Sequence, residues 1–201
     1  APGLTATANP NTVNYSGNAA IKATTYYNLT KSAGSSSLAN NITVQNNLTL
    51  TGGGDINCLS YQITGNSAGT LTLGSGSILR MQNGSEFPTN FVNFAIDPAS
   101  QVSYVSTTSN QTVRAINYGI LYIAGFKTTQ YILEPGTIGI ADNLNILSLN
   151  FQAGGSLVTT GNTNEYKGTG SQTIRGTANA GSLIPWVYNN LTSSCTGATL
   201  T

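Results

Sequence analysis

The chain contains no histidine. That removes the usual base for activating a serine or cysteine nucleophile, and the commonest zinc ligand, in one step. Charge is almost as scarce, with seven Lys and Arg and six Asp and Glu in 201 residues, where about a quarter charged is usual. The basic residues are scattered singly from Lys22 to Arg175. No basic stripe follows a phosphate backbone, so nucleic acid is not an expected partner. No apolar run approaches the roughly eighteen residues needed to cross a bilayer, and membrane insertion is not expected either. Cysteine is limited to Cys58 and Cys195, too few for a disulfide scaffold and without the spacing of a metal site. The two are a candidate disulfide, with a pair of buried thiols as the alternative. Helical periodicity is missing as well: no eleven-residue window places apolar residues at i, i+3, i+4 and i+7 in helix-forming composition.

What is present is polar and small. Asn, Thr, Ser and Gly make up 96 of the 201 residues, yet 39% of the chain is hydrophobic and the net charge is only +1. Disordered chains combine few apolar residues with much charge, so this composition predicts an ordered protein. Its length suffices for a sizeable core without metal or dense cross-linking. The start, Ala1-Pro2-Gly3, reads as a mature terminus after removal of a leader or as a fragment boundary.

The apolar residues fall on alternate positions. In Tyr27-Asn28-Leu29-Thr30 and again in Asn41-Ile42-Thr43-Val44-Gln45-Asn46-Asn47-Leu48-Thr49-Leu50, apolar side chains alternate with Asn, Thr and Gln. This period of two marks strands with one buried face. The pattern recurs in three copies that open at Val13-Asn14-Tyr15, Val102-Ser103-Tyr104 and Glu165-Tyr166. Each runs from an aromatic-centred strand to a Tyr-containing element: Tyr27-Asn28-Leu29, Tyr118-Gly119-Ile120-Leu121 and Tyr188-Asn189-Asn190-Leu191. The two later copies carry Gln111-Thr112-Val113 and Gln172-Thr173-Ile174 between these ends, where the first has Ala20-Ile21-Lys22. Glycine clusters at Gly52-Gly53-Gly54, Gly65-Asn66 and Gly74-Ser75-Gly76 supply turns.

The expected fold is therefore all-β. Two architectures use many short strands with glycine corners: a parallel β-solenoid and an antiparallel β-sandwich. Repetition and low charge favour the solenoid, because successive coils can stack Asn and Thr outside and Leu, Ile and Val inside. About 20–25 residues per coil implies on the order of eight coils. Residues 1–12 read as an N-terminal arm or edge strand, and 13–201 as one repeat-built domain.

The Tyr-Asn-Leu-Thr and Asn-Ile-Thr-Val-x-Asn-Asn-Leu-Thr-Leu motifs resemble the Asn/Thr/Gly-rich repeat regions of giant surface and secreted, adhesin-like proteins of Bacteroidetes-type bacteria. Asp97-Pro98-Ala99-Ser100-Gln101-Val102-Ser103-Tyr104, Ser109-Asn110-Gln111-Thr112-Val113 and Tyr166-Lys167-Gly168-Thr169-Gly170-Ser171-Gln172-Thr173-Ile174 carry the same resemblance. It implies an extracellular structural or adhesive protein at the cell surface, with no catalytic residues, metal ligands or cofactor site to carry over. The third copy ends at Thr192, where the first still has Asn41 to Leu50 to come. The expectation is that the coil is completed by the continuing chain of a larger surface protein or by the arm of an identical subunit, in head-to-tail contact.

Two other function classes remain open on the residues. Phe87, Phe91 and Phe94, with Trp186, the one tryptophan, are a candidate aromatic platform for a carbohydrate, the alternative being a packed loop and a cap. The six carboxylates, Asp55, Glu86, Asp97, Glu134, Asp142 and Glu165, show no local pairing of the kind a polysaccharide-acting enzyme needs. Asp55 reads as a turn residue. Tyr15, Tyr104 and Tyr166 read as a core or cross-coil ladder.

Overall fold

A computed structural model describes residues 6–151, 155–174 and 186–196. Nineteen strands are present among them. In chain order the first ten are β1 (Thr12–Tyr15), β2 (Thr25–Tyr26), β3 (Asn28–Lys31), β4 (Ser35–Ser37), β5 (Ile42–Val44), β6 (Leu48–Leu50), β7 (Asp55–Asn57), β8 (Ile63–Thr64), β9 (Thr70–Leu73) and β10 (Ile78–Met81). The remainder are β11 (Asn93–Ile96), β12 (Gln101–Tyr104), β13 (Gln111–Val113), β14 (Asn117–Lys127), β15 (Gln130–Leu133), β16 (Gly136–Phe151), β17 (Ser156–Val158), β18 (Asn162–Tyr166) and β19 (Asn190–Ser193).

Every pairing between these strands is parallel. The protein is a parallel β-solenoid of about six turns, and the antiparallel sandwich is excluded. Its first sheet has the order β1-β3-β6-β9-β11, and its longest has β4-β7-β10-β12-β14-β16-β18-β19. Two short sheets, β2-β5-β8 and β13-β15-β17, complete the coils. A turn of the solenoid thus runs β3-β4-β5, then β6-β7-β8, before β9 opens the next.

The alternation seen in the sequence sets which side chains go inside. Leu29, Leu48 and Leu71 stand beside one another in β3, β6 and β9, and Ile56, Leu79, Val102, Leu121 and Leu144 form a second column. All are at most 1% exposed. Steps of 19 and 23 residues separate Leu29, Leu48 and Leu71. The step keeps this length through the longest strands, β14 and β16 with 11 and 16 residues, where the paired Leu121 and Leu144 are 23 residues apart. In both, segments that were separate strands in earlier coils have fused around irregularities at Tyr118/Ile120 and Ala124/Phe126.

Asparagine closes the corners. Its side-chain oxygen accepts a main-chain N–H from the next coil at Asn18 to Ser35, Asn28 to Asn47, Asn41 to Gln62, Asn47 to Thr70 and Asn110 to Gln130, all between 2.8 and 3.1 Å. Where the ladder turns and loses its regular carbonyl partner, the amide replaces it and gives the main-chain N–H an acceptor.

The three sequence copies share one interior device. The hydroxyls of Tyr15 and Tyr26, of Tyr104 and Tyr118, and of Tyr166 and Tyr188 meet at 3.0, 3.0 and 2.9 Å. Tyr26 and Tyr118 each donate to the main-chain oxygen four residues earlier, at Lys22 and Arg114. The main-chain N–H of that same residue donates to Tyr15 or Tyr104. The first copy is therefore centred on Tyr26, three residues before Leu29, and not on Tyr27. The Gln-Thr element has its own task. Gln111 Oε1 accepts the N–H of Ser106, and Gln172 Oε1 that of Gly168, each two residues past the first tyrosine of its copy. In the first copy the buried Lys31 serves the neighbouring loops instead, its ammonium donating to the carbonyls of Gly17 and Ala33. Burial lowers its pKa, opposed by the nearby charge of Asp55.

Residues 6–11 lie against the coil: Ala6 is buried, its carbonyl accepts from Tyr27 N, and that of Asn11 accepts from Asn28 N. Of the proposed arm, the described part is held at Ala6 and Asn11, with residues 7–10 exposed between them, and leads into β1, an edge strand.

Two predictions follow from the tyrosine pairs. Tyr118→Phe removes the hydroxyl that donates to the Arg114 carbonyl and pairs with Tyr104, and should lower the unfolding free energy by about 1–3 kcal/mol in urea titration. Tyr27→Phe, whose hydroxyl has no such role, should change it by less than about 0.5 kcal/mol. Burial also raises the pKa of Tyr26, Tyr104, Tyr118 and Tyr131, whereas the unfolded chain ionises near pH 10. The native state then holds more protons than the unfolded one, so stability present below about pH 10 is lost as pH rises above it. Urea midpoints measured from pH 8 to 12 should be flat at first and fall steeply beyond 10.

Candidate functional site

Three of the four residues of the expected aromatic platform lie inside. Phe91 is 0%, Phe87 3% and Trp186 4% exposed. Phe87 packs edge-on against Phe94 and Tyr118, at 5.8 and 6.4 Å between ring centres, and Trp186 meets Tyr188 in the same way. The platform reading is corrected: sequence spacing placed three rings within eight residues, but Phe87 and Phe91 are buried in a packed loop. Phe94 alone stays half-exposed, with the Arg114 guanidinium 5.4 Å above its ring.

The cysteines are both free. Cys58 follows β7, and Cys195 follows β19, six strands further along the longest sheet. At about 4.8 Å per strand the two are separated by roughly 29 Å, far beyond the reach of a disulfide. The candidate bridge is not formed. Cys58 is buried, and desolvation with the nearby Asp55 charge pushes its thiol up to about 12. Cys195 is half-buried, its Sγ 3.1 Å from Gln172 Oε1.

Asp55 is no turn residue. It opens β7, buried, and its carboxylate accepts the Arg80 guanidinium from β10 through Nε and Nη2 and the Ser35 hydroxyl from β4. Parity could have found Lys31, which shares the inward phase of Leu29, but not Asp55, which stands next to the inward Ile56. Glu86 and Glu134 line one hollow of about 210 Å³ with Arg114, Phe87, Thr89 and Thr112. Each carboxylate accepts a main-chain N–H, from Thr112 and Ala115 respectively. These acids serve the backbone of the β13 coil. Among the described residues no three His, Cys, Asp or Glu side chains converge as a metal site.

The larger hollow lies where the first sheet stops. β11 is its last strand, and the next passage of the chain, Ile116-Asn117 at the start of β14, pairs forward with β16 instead. The wedge between them has a volume of about 510 Å³ and is lined by Val92, Asn93, Phe94, Ile96, Ile116 and Asn117. It closes at one end, where Gly119 presses on the preceding coil: a Cβ there would stand 2.3 Å from Pro98 O and 2.4 Å from Asp97 O. Ile120 N then bonds Ser100 O. At the open end Val92 is 61% exposed, the most exposed large hydrophobic residue described. A second hollow of about 430 Å³, lined by Gly65, Asn66, Ser67 and Asn90, lies on the other side of Val92. Gly65 can only be glycine there, because the Phe91 ring would lie 2.3 Å from a Cβ.

These features define a parallel β-solenoid with a gap in one face of its ladder. No family model matches the chain, and comparison with curated proteins and with solved structures gave no match.

The thiols offer a direct check on the packing. At pH 8 the buried Cys58 holds only about one part in 10⁴ as reactive thiolate, so iodoacetamide should label Cys195 at least tenfold faster in the native protein. Both should react in 6 M guanidinium chloride, as read by peptide mass. Equal native rates would contradict the closed interior.

Proposed function

We propose that the chain is an extracellular structural protein, either a subunit of a self-assembling filament or a segment of a long cell-surface adhesin, built to stack on identical subunits or on further chain of the same kind. The observation that carries this reading is a pair of outermost strands among the described residues. β1 is the outer strand of the first sheet and β19 that of the longest. All four residues of β19 are exposed, and Leu191 and Val187 beside it are two of the three exposed large hydrophobics among the described residues.

Parallel edges of this type accept another strand through main-chain hydrogen bonds. A head-to-tail contact repeats without closing, which produces fibres. Low charge supports the same reading, because little repulsion opposes the approach of one copy to the next. The resemblance of the Asn/Thr repeats to bacterial surface proteins points to the same setting, outside the cell and without a catalytic role.

Negative-stain electron microscopy with sedimentation velocity tests it. Filaments or end-to-end oligomers should grow with protein concentration, and Leu191→Lys, which sets a charge on the β19 edge, should reduce them at least tenfold without lowering the thermal midpoint. A monodisperse monomer at the highest soluble concentration would contradict end-to-end stacking.

A further inference from the structure

We propose that the wedge between β11 and β14 is a binding site for a short neutral saccharide. The site is independent of end-to-end stacking, since it lies on the side of the solenoid and uses none of the residues of β1 or β19.

Its polar groups are already oriented. Asn93 donates its amide hydrogens to Ser67 O and Gly69 O at 3.4 and 3.3 Å, which leaves its Oδ1 as an acceptor. Asn117 has the opposite arrangement: its Oδ1 accepts from Lys167 Nζ at 3.3 Å, which leaves its Nδ2 as a donor. One fixed acceptor and one fixed donor, on the two lips of a single hollow, match the hydroxyl groups of a sugar, each of which both donates and accepts. Phe94, Ile96, Ile116 and Val92 supply apolar wall against which the C–H faces of a pyranose ring can lie.

Charge and shape narrow the class. None of the six lining residues is ionisable, and the two cations that touch them are engaged elsewhere, Lys167 with Glu165 and Arg114 with the carbonyls of Pro88 and Phe91, so the wedge offers a sulfated or uronic glycan no dedicated counter-ion. About 510 Å³ lies within the range of small-molecule clefts, about 300–1,000 Å³, with room for more than one ring. An extended peptide is disfavoured because the wedge is closed at Gly119, so a strand cannot run through alongside β11. A ligand enters past Val92, and the second hollow beyond that residue accepts a further sugar unit.

The experiment uses the full chain on an array of neutral di- to tetrasaccharides, with sulfated and uronic glycans and extended peptides as comparators, followed by calorimetry on whatever is retained. At least one neutral saccharide should bind with a Kd below about 1 mM. Asn117→Asp keeps the Lys167 contact but removes the donor, and should weaken binding at least tenfold. Val92→Arg, at an exposed position, should block the mouth to the same extent, while Asn190→Ala on β19 should leave binding unchanged. Circular dichroism melts of each variant confirm that the fold is retained. Retention of no neutral saccharide, retention of peptides or charged glycans alone, or neutral binding unmoved by Asn117→Asp and Val92→Arg would each overturn the proposal. Filament formation can succeed or fail by microscopy whatever the array shows.

Discussion

A solenoid has to satisfy the main chain of every coil with the coil beside it, about 4.8 Å away, and it has to keep doing so around corners. Along the straight strands the parallel ladder does this unaided. At the corners the peptide planes turn out of register, and the protein substitutes a side-chain oxygen for the missing carbonyl. Asn18, Asn28, Asn41, Asn47 and Asn110 accept N–H groups from the following coil, and Glu86 does the same toward Thr112. The abundance of asparagine and the scarcity of charge then have one cause. A neutral amide can bridge two stacked coils repeatedly, whereas a column of like charges would repel itself.

The interior follows from the same stacking rule. Identical phases of consecutive coils lie over one another, so Leu29, Leu48 and Leu71 share one column and the alternation outside it is polar. Where the chain bends within a copy, paired tyrosines hold it: their hydroxyls take the N–H and C=O of Lys22 or Arg114. The tyrosine pair is thus a cross-brace placed where the ladder cannot supply its own partners. Gln111 and Gln172 extend it to the neighbouring loop.

Much of this was legible in the residues. The period of two in 41–50 and 70–73, the turns at Gly52-Gly53 and Gly74-Ser75-Gly76, and the repetition of Tyr and Gln-Thr elements were enough for an all-β, stacked fold. What could not be read was register and length. Tyr27 and Tyr26 are adjacent, and the alternation that buries Leu29 and Lys31 would bury Tyr27, but the break at Tyr27 between β2 and β3 puts Tyr26 inside instead. Gly119 and Gly139 look like turn residues, yet they lie inside long strands at places where a side chain would strike an adjacent coil. The candidate site was less legible still. Aromatic spacing pointed to Phe87, Phe91 and Phe94, with Trp186; three of these are interior, and Phe94 alone lines the wedge. The wedge depends on a missed pairing between β11 and β14, and its two oriented amides come from residues 24 apart with nothing local to mark them.

The most direct measurement of the central claim is amide hydrogen exchange, followed by NMR, in the native protein and in Asn47→Ala. If side-chain oxygens carry the ladder around its corners, the Thr70 N–H should be protected in the native chain and should exchange at least tenfold faster in the variant, with Gln130, held by Asn110, unchanged. Thr70 exchange that is unaffected by removal of the Asn47 amide would contradict it.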